Sequence, residues 1–179
     1  MHESDTKPVS VVVDNFSLEE RIAVKEKVDK LLRHITNVQD ACLILGKKLI
    51  DKGEVEFGIN LIALGQIHDA SKWRGAEFEY LIDPPPNSNG SLSLMIKHHQ
   101  KTNPHHLEYW TDINDMPKIY VAEMVADWTA RAGEFGTSVW DWIKDRILPQ
   151  YNISKNGKIY KWIKEFLDLL LEKPFEKLD

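Results

Sequence analysis

The stretch "KHHQKTNPHH", residues 97 to 106, holds four of the chain's seven histidines, as the adjacent pairs His98-His99 and His105-His106. Imidazole is the side chain that ligates a divalent cation or moves a proton near neutral pH. A surface loop gains nothing from such density that Ser, Asn or Lys would not supply. Partners for a cation stand elsewhere in the chain: His34, then His68-Asp69 in "GQIHDASKW", then Asp127 in "EMVADWTA". Neutral imidazoles and carboxylates are good ligands for Zn, Mn, Fe and similar ions. A carboxylate placed among Met124, Val125 and Trp128 is costly to bury unless it is paired or bound to a metal. The plainer reading of Asp127 is an i,i+4 surface pair with Arg131, and the plainer reading of His34 is a hydrogen-bonded core histidine.

These residues need elements to bring them together. Ser17 followed by Glu20 has the form of a capping box, and apolar residues recur at helical spacing through Ile22, Leu31, Ile35, Val38, Cys42, Leu45 and Leu49, up to a stop near Gly53. His34 shares a face with Leu31, Val38, Ala41 and Leu45 and so points inward. A second helix is predicted from Val55 to Ile67. If Gly53 marks the reversal, His34 and His68 lie roughly 28 and 22 Å from it along their helices at 1.5 Å per residue, which puts them at about the same level.

A short helical piece follows at Glu77 to Leu81, and "DPPPNSNG", residues 83 to 90, stops it. Helix resumes over 91 to 100, is interrupted by Pro104, and returns in "PKIYVAEMVADWTARAGEF". Thr137 is the expected cap of a helix through Trp142, Ile143 and Ile147. Ile159, Trp162, Ile163, Phe166, Leu167 and Leu170 make a final amphipathic stripe, and such aromatic-rich stripes read as core. Only Val9 to Val13 reads as extended. The fold class is therefore all-α, an irregular helical bundle, with residues 1–16 as an N-terminal extension and 17–179 as one domain.

The totals narrow the partners. A formal net charge of −5 gives no basic footprint for duplex nucleic acid or an anionic membrane. Cys42 is the only cysteine, which excludes an intramolecular disulfide and a Cys-based zinc finger and fits a reducing interior. No window approaches 18 consecutive apolar residues, so the expected location is cytoplasmic.

The ordered set His34, His68-Asp69 and Asp127 resembles the HD-domain superfamily of metal-dependent phosphohydrolases, over about residues 20 to 135. The resemblance implies that these four residues share a metal and that the reaction is hydrolysis of a phosphate ester or anhydride, with a nucleotide or related small molecule as substrate. Branches holding two or more metals place a His and then a His-His pair before the last Asp. This chain offers His98 or His99, then His105-His106. Adjacent helical residues diverge by about 100°, so only one of the first pair can face a common centre, and His98 is favoured. Pro104 makes the local backbone irregular, so His105 and His106 both qualify. The expected cofactor is one or two divalent ions, drawn from Mn, Fe, Co, Zn and Mg.

"HDASK" is similar to the "HD-x-G-K" of the HD-GYP branch, with Lys72 at the lysine position and Ser71 in place of the glycine. "HHLEYWTD" lacks the Gly-Tyr-Pro that names that branch, so activity on cyclic dinucleotides does not follow. Nucleotidase and alarmone-hydrolase branches carry a Glu where Lys72 stands. The string also resembles a group of short phage and bacterial HD-like proteins.

Lys72, one turn past His68-Asp69, has the best claim to a phosphate, ahead of Arg74, Lys97 and Lys101. Asp69 and either Glu77 or Glu108 are the candidates for catalysis or for orienting an imidazole. Trp73, Tyr109 and Trp110 are candidates for stacking on a base. Two other readings stay open: a catalytically weak nucleotide-binding or sensor module, and a non-enzymatic helical partner-binding protein.

Overall fold

The computed structural model describes residues 16–84 and 91–172. The stretch Val9–Val13 and most of "DPPPNSNG" lie outside the described residues, among which there is no strand.

Helix α1, Leu18–Asp51, begins with the expected capping box: Ser17 Oγ accepts from Glu20 N at 3.2 Å, and Glu20 Oε2 accepts from Ser17 N at 2.7 Å. Its inward face carries His34, Val38, Ala41, Cys42, Leu45 and Leu49, all buried. The chain then reverses through Gly53, whose φ of +90° a residue with a Cβ adopts only with strain, into α2, Val55–Gln66. Burying His34 and reversing at Gly53 has the consequence that the spacing anticipated: the His34 and His68 rings lie 5.7 Å apart.

Helices α1 and α2 touch backbone to backbone. A Cβ on Gly58 would collide with the carbonyl of Gly46 and stand 2.7 Å from Ile50 Cγ1, while one on Gly65 would stand 2.6 Å from Cys42 Cβ. Gly58→Ala should therefore force the two helices apart. We expect a loss of about 2 kcal/mol or more, at the upper end for overpacking because a carbonyl cannot rotate away. A urea denaturation midpoint within error of the wild type would show that the contact is looser than this.

The segment after α2 makes a short 3₁₀ turn, Ala70–Trp73, and leads into α3, Gly75–Ile82. Lys27 on α1 donates to the carbonyls of Tyr80 and Asp83 at 2.5 and 2.7 Å, tying down the end of α3. Helix α4 runs Ser91–Thr102 and stops ahead of Pro104. Helix α5, Lys118–Phe135, crosses the middle and buries Val121, Ala122, Met124, Val125 and Ala126 against α1, α2 and the last helix.

Thr137 does not cap the next helix. Gly136 turns left-handed at φ +63° and Thr137 N donates back to Ala132 O at 2.9 Å, so Thr137 closes α5. The cap is Ser138, whose Oγ accepts from Asp141 N at 3.2 Å. Helix α6, Val139–Trp142, passes into a π-helical turn, Ile143–Ile147, and then α7, Leu148–Gln150. Pro149 has no N–H to donate and crowds the carbonyl four residues back, which the wider turn accommodates. The final helix α8, Lys158–Leu171, buries Ile159, Ile163, Phe166 and Leu167 on α5 and α1, as its stripe predicts.

Candidate metal centre

Five helical or turn segments meet where α1, α2 and α5 cross. Helix α1 supplies His34, and α5 supplies Asp127. The turn after α2 supplies His68 and Asp69, and Asp69 takes the left-handed conformation, φ 57° and ψ 23°. Strain of this kind persists only where the surroundings impose it, and here it aims the carboxylate at the histidines. His99 comes from α4, and His105 and His106 from the loop behind Pro104. Neighbouring rings form a continuous chain: His68 and His105 are 4.5 Å apart, His105 and His106 4.4 Å, His99 and His106 4.7 Å.

Four of the inward rings are gripped from behind. His34 Nδ1 lies 2.9 Å from Glu134 Oε1, His68 Nδ1 3.0 Å from Glu123 Oε1, and His99 Nδ1 2.8 Å from Glu77 Oε2. His105 Nδ1 approaches the same oxygen of Glu123 at 3.4 Å. A carboxylate on Nδ1 keeps the proton there and leaves Nε2 with a lone pair facing the other way.

That other way is a common space. Asp69 Oδ1 lies 3.2 Å from His99 Nε2 and 3.6 Å from both His68 Nε2 and His105 Nε2, and Asp127 Oδ1 lies 3.1 Å from His34 Nε2. Two ligands on one ion, each at about 2.1 Å and about 90–110° apart, are separated by about 3.0–3.4 Å, so these spacings suit shared cations. His68 Nε2, Asp69 Oδ1, His105 Nε2 and His106 Nε2 are buried with no hydrogen-bond partner. Buried polar atoms are almost always satisfied, and four orphans on one cluster call for a cation to complete them.

Three sets have ligand atoms within 4.8 Å of one another: His34, His68 and Asp127; His68, Asp69 and His105; His99, His105 and His106. These residues could hold a metal ion, and the set donated is of the right chemistry.

The electrostatics show how much negative charge surrounds the imidazoles, which must shed a proton where a cation takes its place. Burial pushes the His68 pKa down, but the hydrogen bond to Glu123 and the charges of Asp69 and Asp127 outweigh it and raise it to about 9. His106 goes down to about 3, through burial and the neighbouring His105 and His99, and so stays in the neutral form that ligates. Burial would raise Asp69 and Asp127, yet the imidazoles around them hold both carboxyls well below the usual range. The field that raises His68 would equally attract a cation.

Of the residues singled out in the sequence, His34, His68, Asp69, His105, His106 and Asp127 come together. His98, favoured over its neighbour, does not join them: its side chain is 45% exposed and its Nδ1 sits 2.9 Å from Glu77 Oε1, on the outer side. His99 takes the inward place. The reason is α3, which presents the buried Glu77 to both rings at once and leaves only His99 behind it. Glu77 also accepts from Ser71 Oγ at 3.1 Å. It is an orienting carboxylate in this arrangement, with both oxygens engaged.

Lys72 Nζ lies 3.3 Å from Glu77 Oε2, so its ammonium stands beside the carboxylate that orients His99. Asp127 does not pair with Arg131, which bonds Glu134 Oε2 at 2.8 Å instead. Glu134 was legible in principle, since Glu123, Asp127 and Glu134 repeat at four and seven residues along one face of α5.

A cavity of about 490 Å³ opens beside the cluster, reaching His34, His105, His106 and Asp127 and continuing between Trp128, Trp142 and Glu108. A second, of about 590 Å³, lies on the side of Asp69, Ser71, Arg74 and Asn103. Both are of ligand size, and the first meets more of the inward-facing residues.

Fold and site together define an all-helical protein built around a candidate metal centre of imidazoles and carboxylates. The chain belongs to a family of unknown function, DUF5662, whose model matches residues 23–169. No curated protein and no solved structure matches it. No helix among the described residues is long and apolar enough to cross a membrane.

Proposed function

We propose that this protein is a cytoplasmic metal-dependent phosphohydrolase of the HD-domain superfamily, acting on a nucleotide or related small phosphate ester. The observation that carries the reading is the group of four partnerless buried ligand atoms, with Asp69 Oδ1 placed between imidazoles of the outer sets. His34, His68, Asp69 and Asp127 would hold one divalent ion, and His99, His105 and His106, with Asp69 reached from both sides, a second. Mn, Fe, Co and Zn suit these nitrogen-rich sets better than Mg, which prefers oxygen. When bound, such ions lower the pKa of a water towards neutrality and polarise a phosphoryl oxygen.

The chain's own contribution is placement. Glu134, Glu123 and Glu77 fix the imidazole orientations, the helices around them exclude bulk water, and the cavity beside His105, His106 and Asp127 gives the substrate its approach. The Lys72 ammonium, beside Glu77, holds that carboxylate against His99 and is the nearest lysine to the Asp69 turn that a phosphate could meet.

Protein purified without a histidine tag should carry one to two equivalents of a transition metal by mass spectrometry, and should release phosphate from a nucleotide panel with manganese, cobalt or zinc. Absence of both bound metal and turnover would refute the reading. Stripping the metal should also lower the melting temperature. An ion at 100 times its Kd stabilises by about 2.7 kcal/mol, or about 5–10 °C for a chain of this size. An unchanged melting curve after chelation would mean that the cluster does not depend on a cation.

A further inference from the structure

The cavity beside the cluster has a composition that the metal reading does not explain. Trp128 and Trp142 stand edge to face, ring centroids 5.3 Å apart and planes at 81°, and both line it. Trp142 is 40% exposed, so its ring is available to a ligand rather than spent on the core.

The charges of the same wall are uneven. Arg131 is already neutralised by Glu134 and lies over the Phe135 ring, its Cζ 6.0 Å from the centroid. Glu108 has only neutral donors on its carboxylate: Gln100 Nε2 at 2.8 Å, and the Tyr151 hydroxyl. The Lys101 ammonium beside it bonds the Glu108 backbone carbonyl instead, at 2.8 Å. Among the described residues no ion pair reaches the Glu108 carboxylate. Burial and this carboxylate push the Tyr151 phenol up, so it stays a donor. Beyond the cluster, then, the cavity offers aromatic faces and a carboxylate that accepts from neutral donors.

We propose, resting on the phosphohydrolase reading, that Trp142 and Glu108 set the specificity of this site for phosphomonoesters whose remaining part is flat, uncharged and bears a hydrogen-bond donor. A single phosphate would engage the cluster, the ring would lie against Trp128 and Trp142, and its donor edge would meet Glu108. A second phosphate would have to enter beside that carboxylate, in a cavity whose lining guanidinium, Arg131, is held by Glu134. Nucleoside monophosphates fit this description; nucleoside bisphosphates and cyclic dinucleotides do not.

The test is competition calorimetry on the manganese-loaded full chain, with the four common nucleoside 5′-monophosphates, ribose 5-phosphate and adenosine 3′,5′-bisphosphate. We expect the best monophosphate to bind about tenfold more tightly than ribose 5-phosphate, the low end for one ring stacked on an aromatic side chain, and more tightly than the bisphosphate by a similar factor. Trp142→Ala should erase the first preference, and Glu108→Gln, which keeps an acceptor for Tyr151, should shrink the second. Both variants should retain manganese. Equal affinities in the wild type, or preferences that survive both substitutions, would overturn the pocket assignment and leave the metal centre standing. A wild type that takes up no manganese would overturn the phosphohydrolase reading, and this one with it.

Discussion

Asp69→Ala is expected to leave the protein with little bound metal and to lower kcat/KM for phosphate-ester hydrolysis by about a thousandfold or more. Asp69 Oδ1 faces the Nε2 atoms of three separate imidazoles, at 3.2, 3.6 and 3.6 Å. Its loss therefore removes a carboxylate ligand and its negative charge from both outer sets at once, and leaves His68, His99 and His105 with no carboxylate between them. Alanine carries a second effect, because a left-handed φ of 57° suits Asp or Asn better than Ala, by about 1 kcal/mol. Asp69→Asn separates the two. It keeps the backbone preference and the shape but not the charge, so it should match alanine in lost metal and activity while melting closer to the wild type. Full activity in either variant would rule out the site.

Glu123→Ala should weaken metal binding by about 10- to 100-fold and destabilise the fold as well. Partners that orient ligand imidazoles commonly contribute that much to affinity. Glu123 is unusual in serving two rings, His68 at 3.0 Å and His105 at 3.4 Å, which the proposed assignment gives to different ions. Its removal would leave two buried Nδ1 donors without an acceptor, at about 1–3 kcal/mol each. Glu134→Ala is the comparison, since it orients the single ligand His34 with a side chain more exposed than that of Glu123, 18% against 4%, and should cost less on both measures. Affinity read by competition with a chromogenic chelator, alongside thermal melting, checks the order. A Glu123 variant that binds metal as tightly as the Glu134 variant would show that the rings are held by packing alone.

The helical framework was legible because its signals are local. The capping box at Ser17, the stop at Gly53 and the stripe of α8 each depend on residues within a turn or two of one another, and each appears where the spacing puts it. Thr137 was misassigned for the same reason that it looked right: a hydroxyl before a helix can cap it, but the bond from Thr137 N to Ala132 O commits the residue to the helix behind. The π-helical turn at Ile143–Ile147 leaves no periodic trace in so short a segment.

For the site, the chain by itself determined the donor set: imidazoles and carboxylates on inward faces, with His34 and His68 at one level of an antiparallel pair. It could not determine which of His98 and His99 turns inward, because neighbours on a helix differ by about 100° and both directions are open until α4 meets α3. Glu77 made that choice, and it also brings Lys72 within 3.3 Å of the same carboxylate. Likewise Glu123 and Glu134 share a face of α5 with Asp127, yet only the packing of α5 on α1 and on the loop behind Pro104 decides which oxygen reaches which ring. Residue type and period are properties of the local chain. The direction of a side chain across a contact depends on a partner distant in sequence, and only the tertiary structure supplies it.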